Sequence, residues 1–201
     1  MTISRTRGLA LAATLAAASI ASRVAFAGGP PNVKPVAFFA VIAGGLAGPV
    51  VGGLTGFASM LGSDAYFGIG PWTPVTSTTM AFVGTISGFL LYSRNVGRTK
   101  LAILGFALTA FYDITTSLYD VVIFNVPLWA ALAGLYFPFF LGARVVYPFG
   151  FAHELTTGLL LYFAGPSLLQ RFRLSSGSFT FNLQAGVKVA NKKAEKEHAF
   201  M

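Results

Sequence analysis

The chain has 201 residues, of which 55% are hydrophobic and only 10% charged, and its formal net charge is +8. Soluble domains carry about a quarter charged residues, so the composition excludes a water-covered globule and predicts an integral membrane protein, with room for roughly six helices of about 20 residues. Cysteine is absent, which excludes disulfides, thiolate metal ligands and a cysteine nucleophile; the basic residues lie between apolar runs, not among aromatics on one face, which argues against nucleic acid.

The first apolar run, Gly8 to Ala27, follows Arg5 and Arg7. Its small residues, with Ala25-Phe26-Ala27 before Gly28, also fit a cleavable secretory signal, against which stands Arg23 close to the cleavage point. Both readings stay open. Ala13, Ala17, Ala21 and Ala25 recur every four residues, and Gly8, Ala12 and Ala16 form a neighbouring row, so one face has almost no side chains. Such a face lets a second helix approach closely in lipid, either within this protein or from another subunit.

As a single helix the run Val36 to Leu61 would be about 40 Å long, too long for an untilted crossing of a hydrocarbon core of about 30 Å. Gly48-Pro49 in its middle predicts a break. The loop Ser63 to Pro74 then combines glycines, two prolines and three aromatics, a composition that holds Trp72 in a fixed place. Trp72 and Tyr66 are either interfacial anchors or part of a lid over an apolar ligand.

Two further runs follow, Ser77 to Tyr92 and Leu101 to Phe124. In the second, Asp113 and Asp120 share one helical face with Thr116 and Ser117, with Tyr112 and Tyr119 alongside. Ionisable groups are costly in lipid, so this face turns into the bundle and marks either a site or a structural pair with Arg144 or a helix hydrogen bond. Val126 to Ala143 holds Pro127 and Pro138 and is either a span or a re-entrant segment. His153 and Glu154 open the last run, Phe151 to Leu169, where a carboxylate also suits a helix N-terminus; capping and binding are equally open. Residues 1–173 are read as one transmembrane domain. Residues 174–201, with Lys192-Lys193 and Lys196, are read as a disordered basic tail attracted to anionic membrane lipids.

Charge placement chooses between two six-span threadings. If Gly48-Pro49 is a turn and Val126 to Ala143 does not cross, the cytoplasm holds Arg5, Arg7, Arg94, Arg98, Lys100, Arg171, Arg173, Lys188, Lys192, Lys193 and Lys196, eleven against Arg23, Lys34 and Arg144 outside. The alternative moves Arg94, Arg98 and Lys100 outward and gives eight against six. Basic residues are retained on the cytoplasmic side, so the first threading is expected: a multi-pass protein of the cell membrane with both termini cytoplasmic. Catalytic signatures are missing. There is no phosphate-binding Gly-x4-Gly-Lys-Ser/Thr loop, His153-Glu154 lacks a second His four residues on, and Gly68-x-Gly70 is too short and badly placed for a dinucleotide. No enzyme and no cofactor is expected.

The alanine-rich first helix, Asn32-Val33-Lys34-Pro35-Val36, Gly48-Pro49-Val50-Val51-Gly52 and Gly70-Pro71-Trp72-Thr73-Pro74 together resemble the S components of energy-coupling factor (ECF) transporters, as do His153, Gly165-Pro166 and Arg171. The resemblance covers about Arg5 to Arg173. It implies an all-α, six-helix membrane protein that binds a vitamin or other micronutrient; the apolar Val126 to Ala143, an extra helical or re-entrant segment between helices five and six, departs from the family's pattern. It also implies a transmembrane coupling subunit and two ATP-binding-cassette ATPases as partners, with Ala13, Ala17 and Ala21 as the docking face. Asp64, Tyr66, Trp72, Tyr112, Asp113, Thr116 and His153 become substrate-binding candidates. Nickel and cobalt members begin Met-His, whereas this chain begins Met1-Thr2-Ile3, which points to a vitamin-like organic ligand; the Gly-Pro-Trp-x-Pro loop is similar to members proposed to carry cobalamin. The rivals are a stand-alone secondary transporter relaying protons through Asp113 and Asp120, and a membrane enzyme or scaffold.

Overall fold

The computed structural model describes residues 5–29, 32–133, 135, 139–141, 144–147 and 150–171, those from 139 to 150 by backbone alone. The tail expected at 174–201 and the side chain of Arg144 lie outside this description. The described helices are α1 (Arg5–Ala25), α2 (Val36–Ala47), α3 (Pro49–Phe67), α4 (Thr73–Leu91), α5 (Arg98–Ile123), the short α6 (Leu128–Ala133) and α7 (Gly150–Phe163). Helical residues resume at 165–171 after an interruption at Ala164, with Pro166 in the opening turn where its missing N–H costs nothing.

The break expected at Gly48-Pro49 is present. Gly48 adopts φ 91° and Pro49 opens α3, a pairing of left-handed freedom with a fixed φ that reverses the chain. A Cβ placed on Gly52 would collide with the Cα of Gly44, eight residues earlier, so α2 and α3 fold back against each other. The opposing face of α4 is equally bare. Cβ atoms on Gly52 and Gly56 would strike the carbonyls of Gly84 and Met80, and one on Gly88 would strike the backbone of Pro49. Three helices thus meet backbone to backbone, the close packing that replaces hydrophobic burial as the source of helix association in lipid.

Polarity runs opposite to that of a soluble protein. Thr55, Ser59, Ser87 and Thr109 are fully buried, while Val50, Phe82, Phe89 and Val122 are 61–77% exposed. On α3 the inner hydroxyls are satisfied along their own helix: Thr55, Ser59 and Ser63 each donate to the carbonyl one turn back, at 2.7–2.8 Å. An apolar exterior over a hydrogen-bonded interior is what a hydrocarbon solvent selects. α1, α4 and α5 are long and apolar enough to cross a membrane. α2 is apolar but has 12 residues, and α3 has 19 but carries Thr55, Ser59, Ser63 and Asp64.

α2 sits at the centre, packed by α1, α3, α4, α5 and α7, and Val36, Ala37, Ala40, Val41, Ile42 and Ala43 are at most 1% exposed. α1 lies on α3 through Gly8, Ala12, Ala16 and Ser19, whereas Ala13, Ala17 and Ala21 face outward. The two small-residue rows therefore divide between an internal and a free face.

The all-α expectation holds for the bundle, and the extra apolar helical segment expected between the fifth and last helices is present as the short α6. Between α5 and α7 stand α6 and an antiparallel strand pair, β1 (Phe139–Leu141) with β2 (Arg144–Tyr147), Phe140 opposite Val145. Pro127 ends α5's continuation and its carbonyl accepts from Ala130 and Ala131 at the start of α6. The aromatic and β-branched residues that follow α6 favour extended backbone, which accounts for the hairpin there.

The glycine contact gives a test of the packing. Gly84→Val drives a branched side chain into the Gly52 backbone, an overpacking cost of about 1–3 kcal/mol or more, and is expected to lower the melting temperature of the detergent-purified protein by several degrees. Gly158→Ala, whose Cβ finds only ordinary contacts, should melt with the parent; equal melting of the two variants would refute the packing.

Candidate functional site

The site is built where the α1–α2 connection, the α3–α4 loop and the C-terminal half of α5 converge. Asn32 takes a left-handed φ of 59°, which asparagine tolerates better than most residues, and the chain turns there into Val33-Lys34-Pro35. Gly68, at φ 119°, closes α3. Gly70 leaves room for the indole of Trp72, since a Cβ there would overlap the ring. Tyr119 then donates to the Pro71 carbonyl at 2.9 Å, tying this loop to α5.

These elements enclose a cavity of about 540 Å³. Its aromatic wall is Trp72 with Phe124, rings tilted at 6.3 Å, together with Tyr112 and Tyr119. Its polar groups are Arg23, Asn32, Lys34, Thr76, Asp113, Thr116, Ser117 and Asp120. Pockets of about 300–1,000 Å³ that join an apolar wall to a few convergent polar groups are the usual form of a small-molecule site.

Charges are paired across helices. Arg23 Nη1 of α1 meets Asp64 Oδ1 of α3 at 2.7 Å and also donates to Ser63 Oγ. Asp64 is 1% exposed and its second oxygen accepts from Thr76 of α4 at 3.3 Å, so one carboxylate links three helices. His153 Nδ1 of α7 lies 3.0 Å from Asp113 Oδ2 of α5, with the imidazole edge-on to Tyr112. Tyr112 in turn points its hydroxyl at the Met60 sulfur, 3.8 Å away. Lys34 places its ammonium 6.0 Å from the centre of the Tyr112 ring, a cation–π distance. Burial holds that ammonium below the usual lysine value of 10.5; Asp113 and Asp64 oppose the shift and Arg23 adds to it.

Of the residues singled out in the sequence, Trp72, Tyr112, Asp113 and Thr116 line the cavity. Asp64 and His153 do not reach its surface; they stand behind it and hold Arg23 and Asp113. Tyr66 is 68% exposed, lies off the cavity wall, and stacks edge-on against Phe67. Glu154 is 1% exposed and one of its oxygens has no hydrogen-bond partner. Among the described residues no group of three metal-ligating side chains comes together.

The family model described as the ECF-type riboflavin transporter S component matches residues 4–146. The chain belongs to that family. No curated protein and no solved structure gives a match. As an S component it is a membrane protein, the substrate-binding subunit of an ECF transporter and not an enzyme, and such subunits associate with a coupling subunit and ATPases. The match ends inside β2, so the S component's His153 and the rest of α7 enter the site on structural grounds alone.

The sequence did not single out Arg23, Asn32, Lys34, Met60 and Thr76 as site residues. Arg23 and Lys34 were legible only as two of three cations on one side of the membrane. Two basic residues retained where few others occur were the available signal.

Removing one partner of a buried ion pair leaves an uncompensated charge, at a cost of about 3–5 kcal/mol. Arg23→Ala in this S component should therefore lower thermal stability by that order, and Arg23→Met combined with Asp64→Leu should regain most of it. A single variant that melts like the parent would show the pair to be idle.

Proposed function

We propose that this S component crosses the membrane with six helices, α1 to α5 and α7, with both termini in the cytoplasm, and captures a vitamin of flavin size from the outer side. The observation that carries the reading is the cavity itself: about 540 Å³, lined by the aromatic rings of Trp72, Tyr112, Tyr119 and Phe124 together with several hydrogen-bonding groups. The family's description supplies the ligand class, a riboflavin-like vitamin. A planar heteroaromatic ring suits the wall of Trp72 and Phe124. Cobalamin, weighed from the Gly-Pro-Trp-x-Pro loop, is several times the mass of a flavin and fits this volume poorly.

In this reading Trp72, Tyr112, Asp113 and Thr116 contact the ligand. Asp64 and His153 hold their partners in position from behind. The outward row Ala13, Ala17 and Ala21 receives the coupling subunit, because a helix bare of side chains admits another helix closely, and ATP hydrolysis by two partner ATPases gives the transport its direction. The Arg23–Asp64 pair supports an α1 that stays in the mature bundle, since cleavage after Ala27 would leave Asp64 buried without its cation.

Riboflavin titrated into the detergent-purified chain is expected to quench tryptophan fluorescence at saturation, and Trp72→Ala to weaken binding about tenfold or more, a loss on the scale of one aromatic stacking contact. Tyr66→Ala should bind as the parent does. Riboflavin uptake by cells that hold this chain but no ECF ATPases would instead support proton-coupled transport through the Asp113–His153 pair.

Ala17→Leu should leave riboflavin binding intact while abolishing both uptake and co-purification with the coupling subunit. Retained co-purification would move the docking surface elsewhere. Lys34 predicts a pH profile: its ammonium is present below its lowered pKa and lost above it, so affinity should fall with rising pH before 10.5 is reached. Lys34→Arg should flatten that profile relative to the parent, because guanidinium keeps its proton throughout.

A further inference from the structure

The charged groups of the cavity fall in two places, the cations with Asp113 beside them and Asp120 apart. Arg23, Asn32 and Lys34 lie together against the α1–α2 connection, where they also line an adjoining recess of about 240 Å³ that no carboxylate lines. Asp120 is elsewhere, about 10 Å further along α5 than Asp113 at 1.5 Å per residue, in the part of the wall formed with Tyr119, Phe124 and Val126. The charged neighbours of Lys34 are Asp113, Arg23 and Asp64 and do not include Asp120. Among the described residues the Asp120 carboxylate has neither an ion pair nor a side-chain hydrogen bond. One turn below it Ser117, 1% exposed, lines the same cavity with a hydroxyl that has no partner.

An ionised carboxylate only accepts hydrogen bonds, so this end of the cavity asks for donors. The opposite end offers donors but little free charge, because Arg23 is held by Asp64 at 2.7 Å and Lys34 sits in the field of Asp113. We propose that Asp120 and Ser117 form a subsite for a hydroxylated chain, that Arg23, Asn32 and Lys34 receive the acceptor-rich edge of the ring, and that the site consequently takes an uncharged polyhydroxylated compound and turns away its phosphate monoester. This rests on the flavin reading above and adds to it the discriminating residue. A phosphate dianion on the chain would be brought against Asp120 inside a low-dielectric cavity, where like charges repel far more strongly than in water.

The test uses the full-length purified chain and three probes read by flavin fluorescence: riboflavin, flavin mononucleotide, and lumichrome, which keeps the ring and lacks the hydroxylated chain. The parent should bind the mononucleotide at least about tenfold more weakly than riboflavin, a modest like-charge penalty. Asp120→Asn should bring the two within about threefold, and Ser117→Ala should weaken riboflavin about tenfold while leaving lumichrome within about twofold, the scale of one hydrogen bond. Asp120→Asn should keep the parent's melting temperature; a large drop would assign the carboxylate to a structural pair such as one with Arg144 and overturn the proposal. Equal binding of riboflavin and its phosphate by the parent, or an unchanged ratio in Asp120→Asn, would also overturn it and leave the flavin reading standing. Folded parent protein that binds neither riboflavin nor lumichrome would overturn both.

Discussion

The contact on which the site depends is the Arg23–Asp64 pair. A carboxylate that is 1% exposed is tolerable in an apolar bundle only with a cation and full hydrogen bonding, and here Arg23 and Thr76 supply them from α1 and α4. The pair therefore fixes where α1 ends, how α3 meets α4, and where the cavity's cationic side stands. Arg23 also lies over the Phe67 ring, 5.4 Å from its centre, which carries the constraint into the last turn of α3. One ion pair thus decides the shape of this end of three neighbouring helices.

Below that end the constraint changes from charge to volume. Gly44, Gly52, Gly56, Gly84 and Gly88 remove side chains where α2, α3 and α4 cross, and the hydroxyls between them bond to their own helices. A rigid inner half under a polar outer half lets the loops and α5 shape a cavity without disturbing the packing beneath.

Much of this was legible in the residues. Gly48-Pro49 announced the reversal because it joins left-handed freedom to a blocked helix in the middle of an apolar run too long for one crossing, and the ladder Asp113, Thr116, Ser117, Asp120 announced an inward wall because lipid forbids the alternative. Family membership followed from the order of short motifs. After α5 the short apolar helix was legible and the hairpin behind it was not: an apolar run has the composition of a buried helix and of a hairpin alike, and only strand pairing separates them. Nor were the partners of the buried acids, since Arg23 with Asp64 and Asp113 with His153 each join residues about forty positions apart, and nothing in local spacing records such a distance. Alanine periodicity likewise named two rows on α1 without telling which row faced α3.

Under the proposed function, the division of those rows would link binding to transport. Gly8, Ala12 and Ala16 press α1 onto α3, and the same helix ends in Arg23, which the cavity shares. A partner helix seated on Ala13, Ala17 and Ala21 would therefore bear on a rod whose far end is anchored to Asp64 beside the cavity. Any rotation or tilt of α1 imposed from outside must either carry α3 and the cationic side of the cavity along or break a buried ion pair, and breaking it costs about 3–5 kcal/mol. Moving the assembly as one body avoids that cost. The arrangement thus favours a protein that turns in the membrane as a unit over one that opens by sliding its first helix.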